Sequence, residues 1–91
     1  MLKLNKSKRF QEDITRVKRQ GKSLLDLEYI IDLLLEDRTL PNEFSPHKLR
    51  GQWKGYWECH IEKDWLLIYK MDGTTLYLVR TGSHDELFDS E

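Results

Sequence analysis

The hydrophobic pattern of this chain changes period once, near its middle, and that change restricts the fold more than any other feature. Up to about residue 36 the apolar residues recur at helical spacing, and from about residue 47 they alternate or run together as in strands. Phe10, Ile14 and Val17 stand at i, i+4 and i+7, a narrow helical stripe in a charged surround. Ser7 suits the N-cap of that helix, which is predicted to run to about residue 20, and Gly21 suits its end. Ser23 with Asp26 marks the opening of a second helix. Leu24, Leu27, Ile31, Leu34 and Leu35 form its main apolar face, and Leu25, Ile30 and Leu33 widen it. The second helix is therefore predicted to be the more buried and to lie against a sheet.

Leu2-Lys3-Leu4 alternates and predicts a short first strand. Residues 37–46, with Pro41, Asn42, Ser45 and Pro46, read as a loop. In the segment 56–61, Trp57, Cys59 and Ile61 fall on one face, with Tyr56, Glu58 and His60 on the other. Trp65-Leu66-Leu67-Ile68-Tyr69 is a continuous apolar run, fitting a central strand covered on both faces. Asp72-Gly73 signals a hairpin into a return strand over 75–80. Gly82 and Ser83 break that strand, and Leu87-Phe88 supplies an apolar anchor. Short turns make consecutive strands antiparallel. The pattern predicts one α+β domain over residues 1–91 in β-α-α-β-β-β order, with two helices on one face of an antiparallel sheet of about four strands. The other face stays open, and His60 points toward it.

No apolar run approaches the roughly 20 residues of a membrane span, and the N-terminal segment has no signal-peptide core. Cytoplasm is the expected location, with no membrane partner. A single cysteine, Cys59, excludes an internal disulfide and reads as a small buried side chain. The net charge of −1 is uneven, since residues 1–22 carry eight basic side chains against two acidic ones. A basic face of that kind suits a polyanion, or is a solvated helix surface.

All three histidines, His47, His60 and His84, lie in the second half of the chain, with Asp64 and Arg80 among them. Histidine exchanges protons near neutrality, a carboxylate orients a histidine or acts as a base, and arginine binds phosphate. The set meets the needs of general acid–base cleavage of a phosphodiester. A metal site is disfavoured, because no ligand pair has metal-motif spacing and Cys59 and His60 point to opposite faces of a strand. Trp53, Tyr56, Trp57 and Trp65 are mainly core residues, with one or two, together with Phe88, free to stack on a base.

Three segments carry a family resemblance. They are His47-Lys48-Leu49-Arg50-Gly51-Gln52-Trp53-Lys54-Gly55, then His60-Ile61-Glu62-Lys63-Asp64-Trp65, then Arg80-Thr81-Gly82-Ser83-His84 and on to Phe88. Together they closely resemble the YafQ branch of the RelE-type toxins. The resemblance implies a RelE-like fold and the toxin of a bacterial type II toxin–antitoxin pair, a ribosome-dependent mRNA endoribonuclease cutting in the A site. The family's functional positions fall on His47, His60, Asp64, Arg80 and His84 as catalytic residues, and on Trp65, Phe88 and Lys54 as RNA contacts. Its implied partners are the 70S ribosome with mRNA and a DinJ-like antitoxin, a small DNA-binding dimer through which alone the toxin meets operator DNA. One departure is charge, because such toxins are usually basic and this chain is −1, with four acidic groups in residues 85–91.

The expected reaction is attack of a ribose 2′-OH on the adjacent phosphate, with His84 as acid and Asp64 or His60 as base. Arg80 steadies the charged phosphorane, and His47 orients the RNA. No cofactor or metal is required, because the internal 2′-OH replaces a metal-activated water. Two alternatives are a non-catalytic ribosome- or RNA-binding inhibitor and an inactivated toxin kept as an interaction partner.

Overall fold

The computed structural model describes residues 1–88. Chain order is β1 (Lys3–Lys6), α1 (Lys8–Arg19), α2 (Leu25–Leu35), β2 (His47–Lys48), β3 (Trp57–Glu62), β4 (Trp65–Asp72), β5 (Thr75–Gly82) and α3 (His84–Phe88). Short 3-10 turns over Asn42–Phe44 and Gly51–Trp53 flank β2. The strands form one sheet in the order β1-β5-β4-β3-β2. This is the expected α+β, RelE-like arrangement with one correction. The sheet has five strands and is mixed, because β1 joins β5 in parallel, Leu4 opposite Leu76. No tight turn links those two strands, so nothing forces them antiparallel. The segment Asp89-Ser90-Glu91 of the acidic tail lies outside the described residues.

Both helices cover one sheet face. Phe10 and Val17 of α1 and Leu27, Ile30 and Leu34 of α2 pack on Cys59, Ile61, Trp65, Leu67, Tyr69, Leu76 and Leu78. The burial is shared evenly, three fully buried side chains per helix, rather than concentrated in α2. Leu25, expected to widen the α2 face, is 73% exposed. It lies two residues before Leu27, about 200° round the helix, and so faces away. Ser7 fastens the start of α1, its Oγ accepting from the Phe10 N–H at 2.9 Å and donating to the Val79 carbonyl at 2.7 Å. At the other end, Gly21 at φ 80° lets the Lys22 N–H reach back to the Val17 carbonyl at 3.3 Å, closing the helix as a side chain there would resist.

The opposite face is not fully open. Leu66 and Ile68 meet Leu87 of α3, with Leu49, Trp53, Tyr56 and Val79 packed around them. That second cluster explains the uninterrupted apolar run of β4, which is buried on both sides from Trp65 to Tyr69. It also anchors α3 through Leu87, as the sequence led us to expect. The turn between β3 and β4 is Lys63-Asp64, and Gly73 at φ 62° makes the turn between β4 and β5. Strand β5 continues through Gly82, which pairs with Leu66 instead of breaking the strand.

Candidate active site

The histidines arrive from three elements at one end of the partly open face. His47 on β2 pairs across the sheet with Glu58 on β3. His60 lies two residues beyond Glu58 and therefore on the same side of that strand. His84 opens α3, and its placement is set by the β3–β4 turn. Asp64 Oδ1 lies 2.8 Å from His84 Nδ1 and accepts the His84 backbone N–H at 3.0 Å. The His47 and His60 rings are 6.3 Å apart, and His60 and His84 are 5.9 Å apart in an edge-on arrangement. Phe88, one helical turn after His84, has its ring 6.3 Å from the His84 ring and is 37% exposed.

Glu58 is a residue of the candidate site that the sequence reading placed on the His60 face without giving it a role. Its side chain is only 6% exposed, with Oε1 at 3.1 Å from His47 Nε2 and 3.9 Å from His60 Nε2. His47 Nδ1 faces the Ser45 carbonyl at 2.9 Å. A carbonyl can only accept, so Nδ1–H of His47 donates to it and Nε2 is the nitrogen that faces Glu58. The available signal was strand periodicity, which places Glu58 beside His60 on the face opposite Cys59.

The carboxyl of Asp64 is held below its usual range, first by the His84 backbone N–H, then by the His84 ring. The ionised Asp64 carboxylate fixes the orientation of the His84 ring through Nδ1. Proton capture by Asp64 itself is poorly driven, because a good general base titrates near working pH. Burial, helped by the neighbouring Glu58 charge, pushes the Cys59 thiol up to about 12, so the lone cysteine is an inert core residue.

Arg80 sits apart from the histidines. It pairs across β5 and β4 with Ile68, which in turn pairs with Glu58, so two strand spacings of about 5 Å separate their backbones. Its Nε and one terminal nitrogen lie on the Asp13 carboxylate, at 2.7 and 3.1 Å. Trp65 is a correction. It is 1% exposed, with its Nε1–H donated to Thr81 Oγ1 at 2.8 Å, and so offers no ring face to a base. Its position follows from the central strand, whose apolar run is filled from both sides. Lys54 lines a surface groove of about 830 Å³ with His47, Lys48 and Arg50.

Sequence and fold comparisons agree on one family. The family of bacterial YafQ toxins of type II toxin–antitoxin systems matches residues 2–89. The chain belongs to the YafQ family. The mRNA interferase toxin YafQ of Escherichia coli K12 is 37% identical over 83 residues, 90% of this chain and 90% of that protein. A copper-bound mutant toxin from Helicobacter pylori superposes with a TM-score of 0.94 at 41% identity, covering 97% of this chain and 100% of that one. The toxin of the E. coli DinJ–YafQ complex superposes with a TM-score of 0.90 at 35% identity, covering 97% and 99%.

The copper in the Helicobacter relative calls for a test of fit in this YafQ chain. Glu58, His60 and His84 each offer one donor atom, all within 4.8 Å of one another. Two imidazoles and a carboxylate suit copper, zinc or nickel. Among the described residues these three form a candidate ion site by donor type, although none of the spacings in the sequence announces a metal motif. No helix among the described residues is long and apolar enough to cross a membrane.

Proposed function

We propose that this YafQ-family toxin cleaves mRNA on the ribosome by metal-independent acid–base catalysis in the A site. The observation that carries the reading is the pair of imidazoles 5.9 Å apart, one steadied by Asp64 and one beside Glu58. Two rings at that separation can flank one phosphate. His60 takes the proton of the ribose 2′-OH, whose oxygen bonds to phosphorus. The bond from phosphorus to the 5′ oxygen breaks, and His84 protonates that leaving oxygen. The products are a 2′,3′-cyclic phosphate and a free 5′-OH. Asp64 orients His84, and His47 steadies Glu58 next to His60. Arg80 serves the charged phosphorane, Phe88 stacks on a base, and Lys54 contacts the RNA backbone.

A copper or zinc ion held by Glu58, His60 and His84 would occupy ring nitrogens that proton transfer requires. A DinJ-like antitoxin is the proposed neutralising partner, by analogy with the E. coli complex, and through it operator DNA. The cytoplasm, where ribosomes translate, is the proposed place of action. The test is cleavage of mRNA, naked and programmed into 70S ribosomes, by the wild type and by His84→Ala. Codon-phased cuts that need the ribosome and vanish in a folded His84→Ala support the reading. Wild-type cutting by His84→Ala overturns the assignment, and toxicity without any cutting replaces catalysis with occupancy.

A further inference from the structure

Asp13 is a charged residue in the middle of an apolar stripe. It lies between Phe10 and Val17 on the buried side of α1, and its side chain is 3% exposed. Its two oxygens take four donors. Oδ1 accepts from Arg16 at 2.8 Å and from Arg80 at 3.1 Å, and Oδ2 accepts from Arg80 Nε at 2.7 Å and from the Thr81 backbone N–H at 3.1 Å. The last bond is possible because β1 ends opposite Leu78, which leaves the far end of β5 without a strand neighbour on that side. Buried ion pairs add little net stability, since desolvation offsets their attraction. What this one supplies is geometry. A guanidinium has five N–H donors in a rigid fork, and Asp13 takes only two of Arg80's. The Nη1 end makes no hydrogen bond among the described residues.

We propose that Asp13 is a positioning residue for Arg80, gripping one edge of the guanidinium against the fixed Thr81 backbone so that the free Nη1 end is presented to the scissile phosphate. The proposal rests on Arg80 serving the phosphate, as in the reading above.

The test is a double-mutant cycle on ribosome-bound mRNA, with Arg80→Met, Asp13→Asn and the double variant, reading kcat and KM separately and melting temperature alongside. Asp13→Asn is expected to lower kcat about tenfold to a hundredfold with KM little changed, and to add nothing in the Arg80→Met background. Additive effects on kcat would overturn the proposal and leave Arg80's role intact. Wild-type kcat in Arg80→Met would overturn both. Should Asp13→Asn fail to fold, Arg80→Lys decides. Its ammonium keeps the charge but cannot grip Asp13 and reach outward together, so kcat should fall while the fold persists. Wild-type kcat in folded Arg80→Lys would overturn the proposal.

Discussion

Asp64 and His84 are 20 residues apart, yet a single oxygen joins them: Oδ1 of Asp64 meets both Nδ1 and the backbone N–H of His84. The turn between β3 and β4 is thereby clasped to the first residue of α3. The clasp fixes which nitrogen of the His84 ring stays available, since Nδ1 is committed to Asp64 and Nε2 is the one the proposed reaction would use.

Asp64→Asn keeps the shape and removes the charge. In the proposed reaction His84 gives its proton to the leaving oxygen, and Asp64 holds the ring in place for that transfer. The variant should lose roughly ten- to a hundredfold in kcat. Because Asp64 is held below its usual range, the wild-type acid limb should not follow Asp64. Single-turnover cleavage from pH 5 to 9 measures both, and a wild-type rate in Asp64→Asn would remove Asp64 from the mechanism.

A side chain at Gly82 would have to push the ends of Arg16 and Glu86 aside. A Cβ there would lie 2.6 Å from an Arg16 terminal nitrogen, 2.8 Å from Glu86 Oε1 and 3.3 Å from Glu86 Cβ. The same groups join α1 to α3, with Arg16 Nε 3.1 Å from Glu86 Oε2 and Glu86 Oε1 accepting the Ser83 N–H at 2.8 Å. Gly82→Ala should destabilise the fold by about 1 kcal/mol, the low end of overpacking, because displaced Arg16 and Glu86 lose their mutual contact. For a domain of this size that is a fall in melting temperature of roughly 4–8 °C per kcal/mol. Thermal unfolding checks it, with an unchanged melting temperature counting against a tight α1–α3 junction.

The layers and most elements were legible because they depend on local periodicity. The α1 stripe, the buried run of β4 and the turn signal at Gly73 each express one short-range rule. What was hidden depends on distant partners. The parallel pairing of β1 with β5 joins residues 72 apart in sequence, Lys3 to Thr75, and no local pattern announces it. Asp13 and Glu58 read as solvent-facing charges, because a sequence does not display the arginines and histidines that neutralise them. Yet Asp13 stood in a buried register, three residues after Phe10 and four before Val17, whereas Glu58, two before His60, shared the open face of its strand. Trp65 misled in the opposite direction, since its place next to Asp64 suggested the site while its strand position put it in the core.

Acid should weaken the fold through Asp13. Burial alone would raise its carboxyl, but the hydrogen bonds from Arg80, Arg16 and Thr81 outweigh that and hold it below the usual value. A depressed carboxyl contributes stability that is present above its unfolded pKa, about 3.9, and lost as pH falls through the folded value. In urea unfolding, the wild type should exceed Asp13→Asn clearly at pH 7, and the gap should narrow toward pH 3. A gap independent of pH would mean that Asp13 acts through shape alone.

Copper should inhibit the proposed cleavage by occupying part of the proposed site. Glu58, His60 and His84 bring their donor atoms within 4.8 Å, and one ion bound there would take lone pairs from both rings to which the proposal gives proton transfer. Added Cu²⁺ is therefore expected to stop cutting, a chelator to restore it, and the melting temperature to rise with copper. At a hundred times the dissociation constant the gain would be about 2.7 kcal/mol. Protons compete for the same nitrogens, so inhibition should be weaker at pH 5 than at pH 7.5. Removing one donor without touching the fold, as in His60→Ala, should abolish the thermal shift. Retention of that shift in His60→Ala would place the copper elsewhere, and full activity with copper bound would separate the metal from the cleavage chemistry.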